Sequence, residues 1–498
     1  MRKAGCIAAA LTVLLTFPAG AVQTPVYDNY TYNYWGDPVE APESYRATAT
    51  VRAEDAGLKA FKEPKDIFVD ADNRVYVADT GNNRIVVLDE DFRLVREITE
   101  FKGGSSTLTL ASPNGVYVKE DGTLLIADTD NKRVIEVDGE DHIVREYLRP
   151  KTDIAFSGID FLPMKVLVDS RDFVYVLCKG LYQGAVSYDR NGDFLGYFGT
   201  NKVESTLEVI ASMFWKRIMT QEQIAKMEKT VPEEFSNFDI DERGFIYTCT
   251  MLTDSQVDQI KKINPKGVNV LQPNHMIKGE FSNKYGDLDI KYYQGEMIQT
   301  RFVDVSYDPD GYINCLDFTK GRIFQYTTES NLVCIFGGTA YQQGTFSNVA
   351  AIENMGDAIL VLDSGKNNIT VFQPTQYLKD IHAALKSYGE GDYAAAQKLW
   401  ERVIDQNLNY ELAYAGIGNT YYNQGDFATA MKYFRQGYDK TGYAKALKYY
   451  RKEQLASIFP VLLTAAVVVG AVLVLFCNRK KITALFRRRR ARKGGDGR

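Results

Sequence analysis

The chain repeats itself. Pro64-Lys-Asp-Ile-Phe-Val-Asp70, followed by Arg74-Val-Tyr-Val-Ala-Asp-Thr-Gly-Asn-Asn-Arg-Ile85, returns as Pro113-Asn-Gly-Val-Tyr-Val118, followed by Leu124-Leu-Ile-Ala-Asp-Thr-Asp-Asn-Lys-Arg-Val134. Weaker copies run from Pro163 to Val176, Phe235 to Thr248, Phe302 to Tyr326 and Phe346 to Phe372, which makes six. Within a copy, alternating apolar residues such as Val75, Val77, Ile85 and Val87 read as short strands, and Gly-Asn-Asn supplies a turn. A sheet this small cannot bury both faces alone, so the copies must pack against one another around an axis. With Asp79, Asp128, Cys178, Thr250, Asp317 and Asp363 as equivalent positions, the spacings are 49, 50, 72, 67 and 46 residues. The two long intervals hold insertions, at about 204–231 and about 271–300.

The Asp-Thr-x-Asn-x-Arg core of the first two copies resembles the NHL repeat, and the resemblance implies a six-bladed β-propeller over residues 45–373. The sixth copy has three plausible strands before the pattern turns helical after Gln373. The alternating segment Tyr45 to Val51 has no other partner and is expected to supply the fourth, hiding an open edge. Asp79, Asp128, Asp317 and Asp363 stand where a strand enters a turn, where a short carboxylate accepts backbone N–H groups. Arg84, Arg133 and Arg322 follow five residues later and can pack across the same turn. These repeated charges read as scaffold.

Beyond Gln373 the period changes. Gly391-Asp392-Tyr393, Ala396 and Trp400 recur 34 residues later as Gly425-Asp426-Phe427, Ala430 and Phe434, with Tyr414, Gly418 and Tyr421 in first-helix positions. This resembles the tetratricopeptide repeat, over residues 374–454, with Ala444 to Gln454 as a covering helix. Such helices form a groove for a peptide or serve as a spacer, and both readings stay open. The first insertion, with Leu207, Ile210, Phe214 and Ile218 at helical spacing and a Thr220-x-x-Gln223 capping box, reads as a helical hairpin. The aromatic arm, residues 22–44, contains Tyr27-Asp-Asn-Tyr-Thr-Tyr-Asn-Tyr-Trp35. It is expected to pack on the propeller; stacking of sugar rings is the other reading.

The two ends point to a membrane. Arg2, Lys3, an apolar run from Ile7 to Phe17 and Ala19-Gly20-Ala21 have the order of a signal peptide, residues 1–21, with an uncleaved anchor as the alternative. Leu455 to Cys477 is free of charge and long enough to cross about 30 Å of hydrocarbon as a helix. The tail, residues 478–498, carries ten of the 59 Lys and Arg and is expected to stay in the cytoplasm, leaving the bulk of the chain outside it. A tail of this charge serves as a stop-transfer signal and is also attracted to anionic lipid. Without signal and tail the remainder is acidic, which argues against nucleic acid as a partner. Cys178, Cys249, Cys315 and Cys334 have no paired spacing and are expected to be buried thiols.

If the propeller has a site, the starts of its first strands point toward the mouth of the central channel; the other reading of a polar ring there is that it holds channel water. Asp66, Asn114, Lys165, Asn237, Asp304 and Asn348 are expected to converge there, with Asp304 facing solvent. The leading expectation is a non-enzymatic, membrane-anchored protein that recognises a partner protein or small extracytoplasmic ligand and needs no cofactor. The alternative is a lactonase-like hydrolase or lyase with a channel calcium ion, for which Glu63-Pro64 and Pro113-Asn114 faintly resemble the family pattern. The peptide-amidating lyases resemble it too, but hold zinc through several histidines. This propeller has only His142 and His275.

Overall fold

The computed structural model describes residues 26–103, 106–151, 160–199, 234–251, 258–272, 276–277, 280–281, 284–288, 291–293 and 296–493. The predicted signal peptide and the predicted helical hairpin at 204–231 lie outside the described residues. Six antiparallel blades form a propeller, and six helices follow it. Blade one consists of Asp66–Val69, Val75–Asp79, Arg84–Leu88 and Leu94–Ile98, and its second and third strands are buried throughout. Blades two and three repeat this plan from Pro113 to Tyr147 and from Pro163 to Phe198. Blade four shows three strands among the described residues, Phe235–Ile240, Ile246–Thr250 and Ile260–Ile263.

Short carboxylates make the turns. Asp70 Oδ1 accepts the N–H groups of Asp72 and Arg74 at 3.0 and 2.8 Å, and Asp89, Asp169, Asp189 and Asp241 do the same in their own hairpins.

Ring closure is by the strand Tyr45–Val51, which pairs antiparallel with Asn368–Pro374 and becomes the outer strand of blade six, as its alternation implied. Tyr45, 1% exposed, stacks on Phe336 of blade five at 4.5 Å. Each junction between neighbouring blades holds its own apolar cluster, so the core is a ring of six interfaces. The arm also packs on the propeller. Tyr30–Tyr32 pairs with Pro38–Glu40, and Tyr30 pairs with Ile335, which extends blade five (Phe302–Asp308 to Leu332–Phe336) to six strands.

The helices are α1 (Gln376–Gly389), α2 (Tyr393–Gln406), α3 (Glu411–Gln424), α4 (Phe427–Gln436), α5 (Lys440–Cys477) and α6 (Arg479–Lys493). Helices α1 to α5 pack each on the next. Asp392, Asp426 and Asp439 cap α2, α4 and α5 by accepting N–H groups at 3.0, 3.0 and 2.8 Å. Helices α3 and α4 meet where Gly418 leaves room: a Cβ there would come within 2.7 Å of the Phe434 ring. The helical unit shares a core with blades five and six through Leu378 and Ile381. Tyr410 donates to the Val333 carbonyl at 2.9 Å, and His382 stacks on Tyr312 at 4.1 Å. Helix α5 is long and apolar enough to cross a membrane, with a mean hydropathy of 2.8 over its most apolar window, none of it buried.

Candidate functional site

Strand pairing defines the level of each channel residue. Across the first hairpin of each blade, Asp66 faces Ala78, Gly115 faces Ala127, Lys165 faces Leu177, Asn237 faces Cys249, Asp304 faces Leu316 and Ala351 faces Leu362. Four of the six expected residues, Asp66, Lys165, Asn237 and Asp304, therefore meet at one level. Asn114 and Asn348 do not. The register slips at a β-bulge between Pro113 and Gly115, so Asn114 is the extra residue and turns aside to donate to Thr129 Oγ1 at 2.8 Å. Asn348 precedes the first strand of blade six and donates to Ser364 Oγ at 2.9 Å. The true occupants in those blades are small for a reason visible at Gly115, where a Cβ would lie 2.5 Å from the Met164 carbonyl oxygen of blade three.

Two acids were missed. Asp239 and Glu353 sit two residues beyond the first level, on the same side of their strands, and line the same axial cavity. Its volume is about 30 Å³, room for water but not for a small organic ligand. Asp304 is 2% exposed, so it does not face open solvent as expected. It accepts N–H groups from Val305 and Ile352 at 2.8 and 2.7 Å and is also bonded by the Asn237 amide. Asp66 accepts Val116 N–H at 2.8 Å and pairs with Lys165, and Asp239 accepts Tyr307 N–H at 2.6 Å. Since Val116, Ile352 and Tyr307 belong to the next blade in each case, these carboxylates staple neighbours together around the axis.

Four carboxylates and one ammonium line this cavity, and their affinities for protons respond. Burial pushes Asp304 up to about 7, with Lys165 opposing and Asp66 adding to the rise. Burial also pushes Asp239 up to about 6 and Glu353 well above the usual range, the latter helped by the Asp239 charge. Burial works against the charge on Lys165, but Asp66 and then Asp304 hold the ammonium above its ordinary value. Among the described residues, no three His, Cys, Asp or Glu side chains are arranged to hold a metal ion.

The repeated Asp–Arg pairs behave as scaffold. Asp79 accepts Lys62 N–H at 2.7 Å with one oxygen and Asn82 and Arg84 at 2.8 and 2.7 Å with the other. Asp128 repeats the arrangement with Ala111, Asn131 and Arg133. In blade five the pattern changes: Arg322 reaches Asp287, in the second insertion, at 2.6 Å.

Asp287 anchors the arm. It is 3% exposed and receives Lys320 at 2.6 Å, Tyr32 at 2.9 Å and the Tyr30 hydroxyl in addition to Arg322. Burial alone would raise its affinity for a proton, but Arg322 and Lys320 hold it below the usual carboxylate range. Past this anchor the arm crosses to the helices. Tyr34 N–H donates to Glu411 Oε1 at 3.0 Å, and the Tyr34 ring stacks on Tyr438 at 5.1 Å. Arm, outer edge of blade five, and helices α3 and α5 enclose a groove of about 550 Å³, whose walls include Tyr32, Asn331, Asn419, Tyr422, Asn423 and Lys445. No sequence pattern pointed to this groove as a whole, because its walls come from segments hundreds of residues apart.

The fold is a six-bladed β-propeller with a helical extension. Residues 61–88 match the family model for the NHL repeat. Among solved structures, the fold is similar to a streptogramin B lyase, with 11% identity, a TM-score of 0.40, and coverage of 68% of this chain and 100% of that one. A Bacteroides thetaiotaomicron protein of unknown function is similar at 12% identity and a TM-score of 0.41, covering 70% and 76% of the two chains. A PQQ-bound aldose sugar dehydrogenase from Streptomyces coelicolor follows at 10% identity and 0.38, covering 67% and 98%. Likeness at this level carries no statement about activity. A comparison with curated proteins finds no match.

Proposed function

We propose that the chain is a membrane-anchored binding protein, with its bulk outside the cytoplasm, that takes an extended segment of a partner protein into the groove between arm and helices. The observation that carries this reading is the arm itself: an extended aromatic segment already laid on the helical face, with a backbone N–H on Glu411 and a ring on Tyr438. The groove beside it offers further tyrosine rings and side-chain amides, which suit an exposed polypeptide backbone. The helices are read as a tetratricopeptide pair. Burial of Ala396, Trp400, Ala430 and Phe434 between helices supports that reading, since these are the positions at which the two copies agree. The axial cavity, large enough only for water, is assigned to holding the ring together.

A chain lacking residues 26–43 should bind a synthetic peptide of those residues saturably, and Glu411→Gln with Tyr438→Ala should abolish the binding. A peptide that fails to bind an otherwise folded chain would overturn the groove reading, and calcium-dependent turnover of a lactone would favour the hydrolase in its place. Orientation is tested separately with protease on intact cells. The propeller should be digested while an antibody to Arg487 to Arg490 still detects a protected fragment.

A further inference from the structure

Helix α6 starts one residue after the apolar helix ends. Asn478 closes α5, its N–H donating to the Val474 carbonyl at 3.0 Å and its own carbonyl accepting the N–H groups of Lys481 and Ile482 at 2.9 and 3.0 Å, so a second helix follows with no loop between. The sequence of α6 contains nine Lys and Arg and no Asp or Glu. It also contains Ile482, Leu485 and Phe486, which share one face at helical spacing. Leu485 is 64% and Phe486 66% exposed, and nothing in the described chain covers them. At the junction the Arg479 guanidinium sits 4.9 Å from the centroid of the Phe476 ring, a cation resting on the last aromatic of the apolar run.

These observations select one kind of surface. An upright continuation would carry Phe486 about 13 Å beyond Cys477, clear of hydrocarbon, with its apolar face in water. Turned flat at Asn478, the same helix sets Leu485 and Phe486 at the acyl boundary and its cations among the headgroups, where long basic side chains reach outward to charge. We infer that α6 lies on the leaflet next to the span and binds anionic phospholipid, with Leu485 and Phe486 inserted and the basic residues paired with headgroup phosphates. This rests on α5 being the span and is independent of what the groove binds.

The test uses the full chain in nanodiscs, where both leaflets are open to protease. One set is pure phosphatidylcholine and the other also contains phosphatidylglycerol. Trypsin cleavage within Arg479–Arg490 is timed against cleavage at an exposed propeller loop. Phosphatidylglycerol should slow tail cleavage about tenfold, and high salt should weaken the protection. Leu485→Ser with Phe486→Ser should remove most of it while leaving the charge intact. Equal cleavage in the two lipids overturns the proposal, and protection that survives the double substitution overturns insertion. Protection in phosphatidylcholine by added RNA would instead assign the tail to nucleic acid. Failure of the chain to co-migrate with either disc would overturn the span itself, which separates that outcome from the others.

Discussion

Lys165 and Asp66 face each other from the first strands of blades three and one and form an ion pair with both side chains almost out of solvent. The pair links two blades that are not neighbours, with blade two between them. Lys165 is also the one cation among the described residues lining the axial cavity. Lys165→Met should therefore leave Asp66 as an uncompensated buried charge and destabilise the propeller by about 3–5 kcal/mol. Adding Asp66→Asn should recover part of that loss, as a denaturant-unfolding cycle on the two single variants and the double would show. Additive losses would mean that the two residues do not act as a pair.

A second expectation concerns Asp304 and Asp79. Both are buried acceptors of backbone N–H groups, one between blades and one within the turn region of its own blade. Either residue changed to Ala should cost about 2–4 kcal/mol, because the donors left behind are shut away from water. Asp304→Asn should cost less than Asp304→Ala, since the amide oxygen still accepts. An Asp304→Ala protein that melts like the parent chain would show that the inter-blade bond contributes nothing.

The same carboxylates give stability a pH slope. Asp304 and Asp239, raised to about 7 and about 6 mainly by burial, bind protons in the folded chain that the unfolded chain, with carboxylates near 3.8, has released. That stabilisation is complete below pH 4 or so and is lost as pH rises through the folded values. His382 acts in the opposite sense: burial lowers it to about 4, so its contribution is present above its ordinary 6.5 and is lost as pH falls. With Glu353 also raised, the acids outnumber the histidine, and the melting temperature should fall from pH 5 to pH 7 and then level off. Asp304→Asn should flatten the fall. A melting temperature that climbs over this interval contradicts the protonated cluster.

Closure of the ring is the fourth point of test. Tyr45 is buried against Phe336, and its hydroxyl accepts from the Gln325 side chain at 3.1 Å. Tyr45→Ala should cost about 3–5 kcal/mol, the usual loss for emptying a large aromatic site. Hydrogen exchange along Asn368–Pro374 should rise in step, because that strand would lose its outer partner. Unchanged protection of the strand in a weakened protein would mean that the side chain, and not the ladder, holds the edge.

The blades were legible because the chemistry of their turns is local. Asp79-Thr80 and Asp128-Thr129 each combine a staple with a latch: the hydroxyls of Thr80 and Thr129 donate to the Pro113 and Pro163 carbonyls of the next blade at 2.6 and 2.5 Å. Channel register was harder, though Pro64-Lys65-Asp66 and Pro163-Met164-Lys165 both set the channel residue two positions past a proline, which in blade two is Gly115. Asn114 looks like a channel residue until Pro113 and Gly115 are seen to pair as if it were absent. Asp239 and Glu353 could have been found by counting two residues on from Asn237 and Ala351, because alternate strand residues share a face. The groove could not have been found that way: Tyr34 meets Glu411 across 377 positions of sequence, and only the assembled fold brings them together.

Helix α5 runs from the groove wall at Thr441 and Lys445 to Cys477 without interruption, 38 residues in one piece. That is a rod about 57 Å long. Stiff rods turn small rotations at one end into large translations at the other, so a tilt of about 5° at the groove wall would become a sweep of about 5 Å at the far tip. Pro460 is the point of give along its length, lacking the N–H that would bond one turn back. Under the proposed function, a segment held in the groove would bear on the orientation of the apolar part of α5, and less so the more the helix yields at Pro460.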